Sequence, residues 1–563
     1  VRIIQIILSL LLPFAAFAAP TSPLQPIDQD LSDVSISTLH RYYTEHRYTV
    51  SEVVEWHLAR IHRYNGVYRA VETLFDATAR SEASALDTQL RAGHTPTGLL
   101  WGVPIMIKAN TSIAGTVTSA GWSGYTLPGH ELIAPRDATV VQRLKAAGAI
   151  VLGHSNMPDL ANSDTNRSSS FGRTGNAYDP RYSPGGSSGG TVTSVSGNLA
   201  VAGTGTDTGN SIRMPAATSA LVGLYPTRGR VSIAGIAPLD WLLDNTGPIT
   251  RSVEDAAIML SVMASVDPED PVTEEAKGHE EPAPFTRYLD RNALKGKRFG
   301  VPAFILNGTG IPFHGVPAII PDADAHQREI DAAIPLQAPT RRVFERALDE
   351  LRAAGATIVT VDELGEAFAH EASRVATYPY VREGTDRFLR SYGPAEYHSV
   401  ADYERVTGQS GFAAVTGEEA ANRDFGDVRL QQALIASDSA YAANVTRPRE
   451  RTRQRYAEAL DHLHLDGLVY PAIQMPPMDE TLPQDGRLSE GPHSATGWVN
   501  MIGVPAIVVP GGEYANGLPF GLEFSARRWH DGELLGWAYA YEQATHHRRT
   551  PSLVTHGFVS GEP

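Results

Sequence analysis

Three side chains in this sequence have the types and spacing to carry out acyl transfer. Lys108 ends the apolar run Ile105-Met106-Ile107, Ser187 lies within Gly185-Gly186-Ser187-Ser188-Gly189-Gly190, and Ser211 closes the turn Asp207-Thr208-Gly209-Asn210-Ser211. A serine hydroxyl attacks poorly until a neighbouring base removes its proton. An amine can be that base only when uncharged, which requires its pKa to fall from about 10.4 toward roughly 7 to 8 through burial. The apolar run before Lys108 offers that burial. Lysine is also scarce: it stands at five positions (Lys108, Lys145, Lys277, Lys295, Lys297), and arginine supplies the rest of the 47 basic residues. A guanidinium does not release its proton near neutrality, so a lysine in an apolar stretch of this chain points to a need for its titration. Ser187, flanked by glycines that allow close backbone approach, could pass the proton between Lys108 and Ser211.

The turn leading to Ser211 presents successive backbone N–H groups beside a hydroxyl. Such a nest of donors stabilises the oxyanion of a tetrahedral intermediate, and one donor is worth on the order of 3 kcal/mol there. Asp207 and Arg213 flank the turn and read as an ion pair that holds its shape. The glycine-rich stretch also fits a flexible linker, or a G-x-S-x-G elbow with Ser187 as nucleophile. Both readings leave Lys108 and the Ser211 turn without a purpose. Gly203-Thr204-Gly205 lacks the third glycine of a phosphate fingerprint. The pairs His462/His464 and His546/His547 have no carboxylate at ligand spacing and read as exposed helix-end histidines. The chemistry proposed for the three residues needs no metal or organic cofactor.

The elements that must position these residues follow an α/β grammar. Thr49 and Glu52 have capping-box spacing before Val54, Leu58 and Ile61. Val103 to Ile107 reads as a buried strand, Asp137 as the cap of a helix carrying Val140, Val141 and Leu144, and Ala149 to Leu152 as the next strand. The same order returns at Phe344, Leu348, Leu351, Gly355 and Ile358 to Val361. Short apolar strands alternating with amphipathic helices imply a sheet covered on both faces. Asp267 to Thr340 is rich in proline and acidic residues and reads as a variable surface excursion within one domain, since strand-like Phe299-Gly300-Val301 lies inside it. Late strands at Leu468 to Tyr470 and Ala506 to Val509 complete the sheet.

Composition narrows the function classes. A formal net charge of −16 argues against nucleic acid and acidic membrane surfaces as partners. The absence of cysteine excludes disulfides, thiolate catalysis and cysteine-ligated zinc. Arg2, the apolar run Ile3 to Leu12, Pro13 and Ala16-Phe17-Ala18 have the n-region, h-region and A-x-A site of a secretory signal peptide. Residues 1–18 are therefore expected to be a leader for an extracellular, or in a bacterium periplasmic, protein of residues 19–563, without stable membrane insertion. Sequons at Asn307 and Asn444 are the expected glycan acceptors, whereas Asn110 lies too near Lys108.

With these motifs the chain resembles the amidase signature family. The resemblance rests on Gly-Gly-Ser-Ser-Gly-Gly, on Gly205-Thr-Asp-Thr-Gly-Asn-Ser-Ile-Arg-Met-Pro215, and on Ser187 and Ser211 lying 24 positions apart. It extends from about Thr49 through core motifs at 100–260 to Asn500-Met-Ile-Gly-Val-Pro-Ala506 and Gly517-Leu-Pro-Phe-Gly521. It implies an α/β/α sandwich around a mixed sheet of about eleven strands, and a small-molecule amide as substrate. Ser211 would be the acylated nucleophile, Lys108 the base, and Ser187, on a cis peptide, the bridging serine. The amides of Thr208, Gly209, Asn210 and Ser211 would form the oxyanion hole. Asn210 replaces the usual glycine and is expected to tolerate a positive φ while narrowing or polarising the pocket. Tyr225 replaces a lysine, with little consequence expected. Pocket residues are expected from the segment around Tyr125 and from the 267–340 excursion. A glutamine-dependent amidotransferase subunit, an esterase or carbamate hydrolase, and an inactive binding homologue are the alternatives, and a homo-oligomer is compatible with all of them.

Overall fold

The computed structural model describes residues 26–94, 97–279, 281–409, 433–481 and 492–551; the expected leader lies outside them. The strands are β1 (Val71–Leu74), β2 (Pro104–Lys108), β3 (Ile150–Ser155), β4 (Arg167–Ser168), β5 (Gly172–Arg173), β6 (Ala202–Asp207), β7 (Val222–Tyr225), β8 (Asn245–Thr250), β9 (Arg298–Pro302), β10 (Thr357–Val361), β11 (Gly467–Pro471), β12 (Ala506–Glu513) and β13 (Pro519–Ser525). Strands β4 and β5 form a small ribbon. The others make one eleven-stranded sheet in the order β1-β3-β2-β6-β8-β7-β12-β13-β11-β9-β10. It is mixed: β2 runs parallel to β3 and β6, β9 runs parallel to β10 and β11, and the centre is antiparallel.

Every residue of β2, β3, β6, β7, β8, β11 and β13 is buried. A strand buried on both pleat faces needs helices above and below, which is the single α/β domain that the alternating pattern implies. The helix Val50–Tyr68 starts at the Thr49/Glu52 capping box. The helix Thr139–Ala146 carries the expected buried Val140, Val141 and Leu144, but Asp137 does not cap it. Asp137 instead accepts from the Ala114 N–H at 2.8 Å and pairs with Lys145 at 2.9 Å, because a carboxylate two residues ahead of the first turn reaches a neighbouring loop more readily than the helix amides.

The excursion contributes more than surface, since β9 is seated between β11 and β10 and Phe299 is fully buried. Asn444 is not a glycan acceptor. It is 2% exposed, its amide donates to the Tyr380 hydroxyl at 3.3 Å, and its oxygen accepts from the Ala318 N–H at 2.9 Å. Asn307 is exposed. Among the described residues, no helix is long and apolar enough to cross a membrane.

Candidate active site

The site forms where parallel strands end together. With Ile105 opposite Ala202 and Met106 opposite Gly203, β2 and β6 finish at the same sheet edge, bringing Lys108 beside Thr206 and the turn that follows Asp207. Such carboxyl edges are where open α/β sheets bind ligands. The glycines of β6 permit the third component to close in. A Cβ at Gly203 would lie 2.6 Å from Thr191, and one at Gly205 would lie 2.9 Å from the Ser188 hydroxyl. The small-residue helix Gly189–Ser196 therefore packs directly on the strand and delivers Ser187 and Ser188 to Lys108. The Gly186–Ser187 peptide is cis, as the resemblance implies.

Lys108 has no exposed surface, and all its polar partners are neutral. Its Nζ lies 2.7 Å from the Ser187 hydroxyl, 3.0 Å from Ser188, 2.8 Å from the Thr206 hydroxyl and 3.2 Å from the Thr206 carbonyl. Asn110 donates to the same Thr206 hydroxyl at 3.1 Å. Burial pushes the amine down from its ordinary value to about 7, against the charges of Asp207 and Asp244, which pull it upward. An amine at that value is part neutral at neutral pH, the condition for a base.

Ser211 follows on the other side. Its carbonyl accepts the Ser188 N–H at 3.2 Å, tying the two serine loops together. Ser211 is 5% exposed and lines a cleft of about 580 Å³, whereas Ser187 and Lys108 are fully buried and do not line it. Among the described residues, the backbone N–H groups of Thr208, Gly209, Asn210 and Ser211 give no hydrogen bond, leaving them available to an acceptor in the cleft.

Asp207 and Arg213 are the buried ion pair the sequence implied, at 3.0 Å, and further partners complete it. Arg213 also pairs with Glu523 at 2.7 Å, donates to the Gly209 carbonyl at 2.9 Å, and bonds the Asn500 side chain at 2.6 Å. Asn500 returns its amide to the Asp207 carboxylate at 2.9 Å. Burial raises Asp207, but the Arg213 charge and the bonds it receives outweigh that and hold it below the usual carboxylate range. Burial drives Glu523 up to about 7 despite Arg213. Tyr225 has a larger part than expected, since the Arg213 guanidinium lies 5.3 Å from its ring centre.

Two expectations about the cleft change. Asn210 is not in a positive-φ conformation, so it needs no left-handed tolerance. Its amide donates to Asp164 and to Ser494, both at 3.1 Å, polarising the cleft as foreseen. Tyr125 does not line the cleft. It is buried against Trp122 and Tyr403, and the Ser168–Ser170 hydroxyls serve local structure. The excursion does line the cleft, through Phe313, and a Cβ at Gly209 would lie 2.7 Å from that ring. A smaller chamber of about 320 Å³ adjoins it, shared through Asp164, Asn210, Phe313 and His493 and walled by apolar Ile311, Ile334 and Met501.

Ser188, Thr206, Asn500 and Glu523 escaped sequence reasoning. Ser188 is the second serine of the glycine-rich loop and Thr206 precedes Asp207, so adjacency was their signal. Glu523 lies 310 residues from Arg213, and only the packing of the helix Arg213–Thr218 on β13 unites them. Asp244 also escaped notice: it accepts the Thr208 hydroxyl at 2.6 Å, and burial lifts it to about 6.

One group of metal-ligating types occurs among the described residues: His326, Glu329 and His370. Their polar atoms bond one another, His370 Nδ1 at 2.8 Å and His326 Nδ1 at 3.3 Å from the Glu329 carboxylate, which also accepts the Ser373 hydroxyl. The i, i+3 spacing of His326 and Glu329 was its sequence signal. His462, His464 and His546 are exposed, while His547 is half-buried and bonds Glu350 at 2.8 Å.

A family model described as Amidase matches residues 52–311 and 329–535. The A subunit of glutamyl-tRNA(Gln) amidotransferase from Symbiobacterium thermophilum is 31% identical over 533 residues, covering 93% of this chain and 99% of that protein. The protein of the same name from Halorhodospira halophila is 32% identical over 514 residues, covering 89% and 95%. The native peptide amidase from Stenotrophomonas maltophilia aligns with a TM-score of 0.73 at 30% identity, over 92% of this chain and 98% of that one. A match across nearly the whole chain, falling on the strands and turns that bring Lys108, Ser187 and Ser211 to one sheet edge, places this protein in the amidase signature family, enzymes that act on amide C–N bonds.

Proposed function

We propose that the protein is a secreted amidase that hydrolyses a carboxylic amide through an acyl-enzyme on Ser211. The observation that carries this reading is the Lys108 amine, wholly buried, lowered to about 7 and 2.7 Å from Ser187. The uncharged amine takes the Ser187 proton as Ser187 takes that of Ser211, and the freed Ser211 oxygen bonds to the amide carbon. The carbonyl oxygen becomes an oxyanion facing the N–H groups of the 208–211 turn. As the C–N bond breaks, the proton now on Lys108 returns through Ser187 to the departing nitrogen, which leaves as an amine or ammonia. Water then adds to the ester carbon, giving its proton back along the same route, and the acid departs with Ser211 restored.

Support for the substrate class comes from the peptide amidase likeness. Support for secretion comes from the Arg2 to Ala18 pattern. The names of the curated relatives favour a second reading, an amidotransferase component that passes ammonia onward. A fluorophosphonate probe should label wild type covalently and leave Ser211→Ala unlabelled; equal labelling of both removes Ser211 as nucleophile. A panel of matched amides, esters and carbamates on the lone chain recovered from culture medium separates the readings. Turnover of amides without a partner supports the amidase, and activity that appears only with a partner and an ammonia acceptor supports the amidotransferase.

A further inference from the structure

We propose a second binding site, for the phosphate dianion of a small phosphomonoester, between the helices Glu366–Ser373 and Arg447–His462. A cavity of about 480 Å³ opens there and shares no lining residue with the Ser211 cleft or its side chamber. Arg447, Arg451 and Arg455 stand at i, i+4 and i+8 of the longer helix, so one face of it carries three guanidinium groups. Arg374, just past the end of the shorter helix, contributes a fourth. Two carboxylates offset them. Glu371 accepts from Nε of Arg451 at 2.7 Å and of Arg455 at 2.8 Å, while Asp322 lies 3.8 Å from Arg374 and is largely exposed.

A third carboxylate, the buried Glu329, also acts on Arg374, so the balance is one positive charge in a chain whose formal net charge is −16. Like charges at i, i+4 destabilise a helix, so a purely structural network would be expected to pair each one. Two groups here are left over. Arg447 is exposed and makes no ion pair or side-chain hydrogen bond among the described residues, so its guanidinium is free to turn into the cavity it lines. Arg374 donates through Nη2 to the Ile320 carbonyl at 2.9 Å, but its Nη1 is buried without a partner. A buried unmet donor on a charged group is costly, and an oxyanion in the cavity would satisfy it.

Guanidinium groups present parallel N–H bonds to the oxygens of carboxylate or phosphate. The several oxygens of a phosphate can meet Arg374 Nη1 and Arg447 at once, which the two oxygens of one carboxylate do less readily, and the cavity has room for an organic group beyond the phosphate. The site adjoins the main cleft through the backbone: the Val316 N–H donates to the Ser373 carbonyl at 2.7 Å and the Thr377 N–H to the His314 carbonyl at 2.9 Å, next to Phe313.

The test is calorimetric titration and thermal unfolding of the whole chain with inorganic phosphate and with glycerol phosphate, against sodium chloride at matched ionic strength. Saturable binding of one phosphate group per chain, with a rise in Tm over chloride, is expected. Arg447→Gln should weaken it roughly tenfold or more while leaving Tm in chloride unchanged, since that side chain holds nothing in place. Arg374→Gln should weaken it likewise. Absence of any phosphate-specific heat or Tm shift, or undiminished binding in the Arg447→Gln/Arg374→Gln double variant, overturns the proposal. Neither readout involves Ser211, so failure here leaves the hydrolytic reading intact.

Discussion

If Lys108 is the base, the rate of Ser211 acylation must follow the fraction of that amine without a proton. Burial sets its pKa at about 7, so roughly a tenth of molecules carry the neutral amine at pH 6, half at pH 7 and nine-tenths at pH 8. Acylation should therefore rise about tenfold across those two units and flatten above them, with the sign fixed by the amine being active only when deprotonated. The perturbation is Lys108→Arg, which keeps a long cation but never releases its proton. It should cost on the order of 10²–10⁴ in rate, the usual worth of a positioned base, and the remaining rate should lose the acidic limb. Fluorophosphonate labelling, followed by stopped-time mass spectrometry at constant ionic strength, measures this without knowing the natural substrate. A wild-type profile flat from pH 6 to 8, or an undiminished limb in Lys108→Arg, would refute the base assignment.

The same burial predicts a stability signature. The folded amine titrates at about 7 and the unfolded one at 10.5. Between those values the unfolded chain holds one more proton, so stability rises with pH by about 1.4 kcal/mol per unit. In denaturant melts at about pH 7.5, 8.5 and 9.5, wild type should gain on Lys108→Met by that slope, and parallel curves would contradict a buried neutral amine. Arg213→Met strands Asp207 and Glu523 without their cation and should destabilise the fold by about 3–5 kcal/mol, read as a lowered denaturation midpoint; a loss under about 1 kcal/mol would show the pair to be idle. Gly209→Ala places a Cβ 2.7 Å from the Phe313 ring. Because Phe313 sits at the cleft lip, 39% exposed, the ring should swing away at little cost in stability while KM changes. Phe313→Ala should remove any further effect of Gly209→Ala, and additive effects on KM would break the link.

Legibility in the sequence tracked how local the physics was. The Thr49/Glu52 box, the β2 and β10 units and the Ser211 turn are each fixed within a few residues, and their signals survive folding. Lys108 could be singled out because its chemistry demands burial and the three residues before it supply it. What could not be read was packing between distant elements. Nothing in Asn500 or Glu523 announces Arg213, since β6 and β13 stand four places apart in the sheet and only the helix Arg213–Thr218, packed on β13, brings that guanidinium to Glu523. The excursion reads as surface because it is rich in proline and acidic residues, yet a single five-residue strand inside it belongs to the core. Asp137 failed as a cap because another partner lay closer in space than the helix it precedes.

A neutral lysine beside an ionised aspartate runs against simple electrostatics, since Asp207 immediately precedes the turn and its charge pulls the amine upward. The strand resolves the conflict by alternation. Successive side chains of β6 face opposite ways, so Thr206 turns its hydroxyl to Lys108 while Asp207 turns its carboxylate to Arg213, Asn500 and the Ile212 N–H. Every hydrogen-bond partner of Nζ is thereby uncharged, and the carboxylate's field is met at once by a guanidinium. Arg213 thus does two things: it fixes the Gly209 carbonyl, and hence the shape of the turn, and it screens Lys108 from Asp207. Glu523 balances Arg213 in turn, being raised itself by burial. The ion cluster is therefore part of what keeps the amine available as a base, although none of its members touches it.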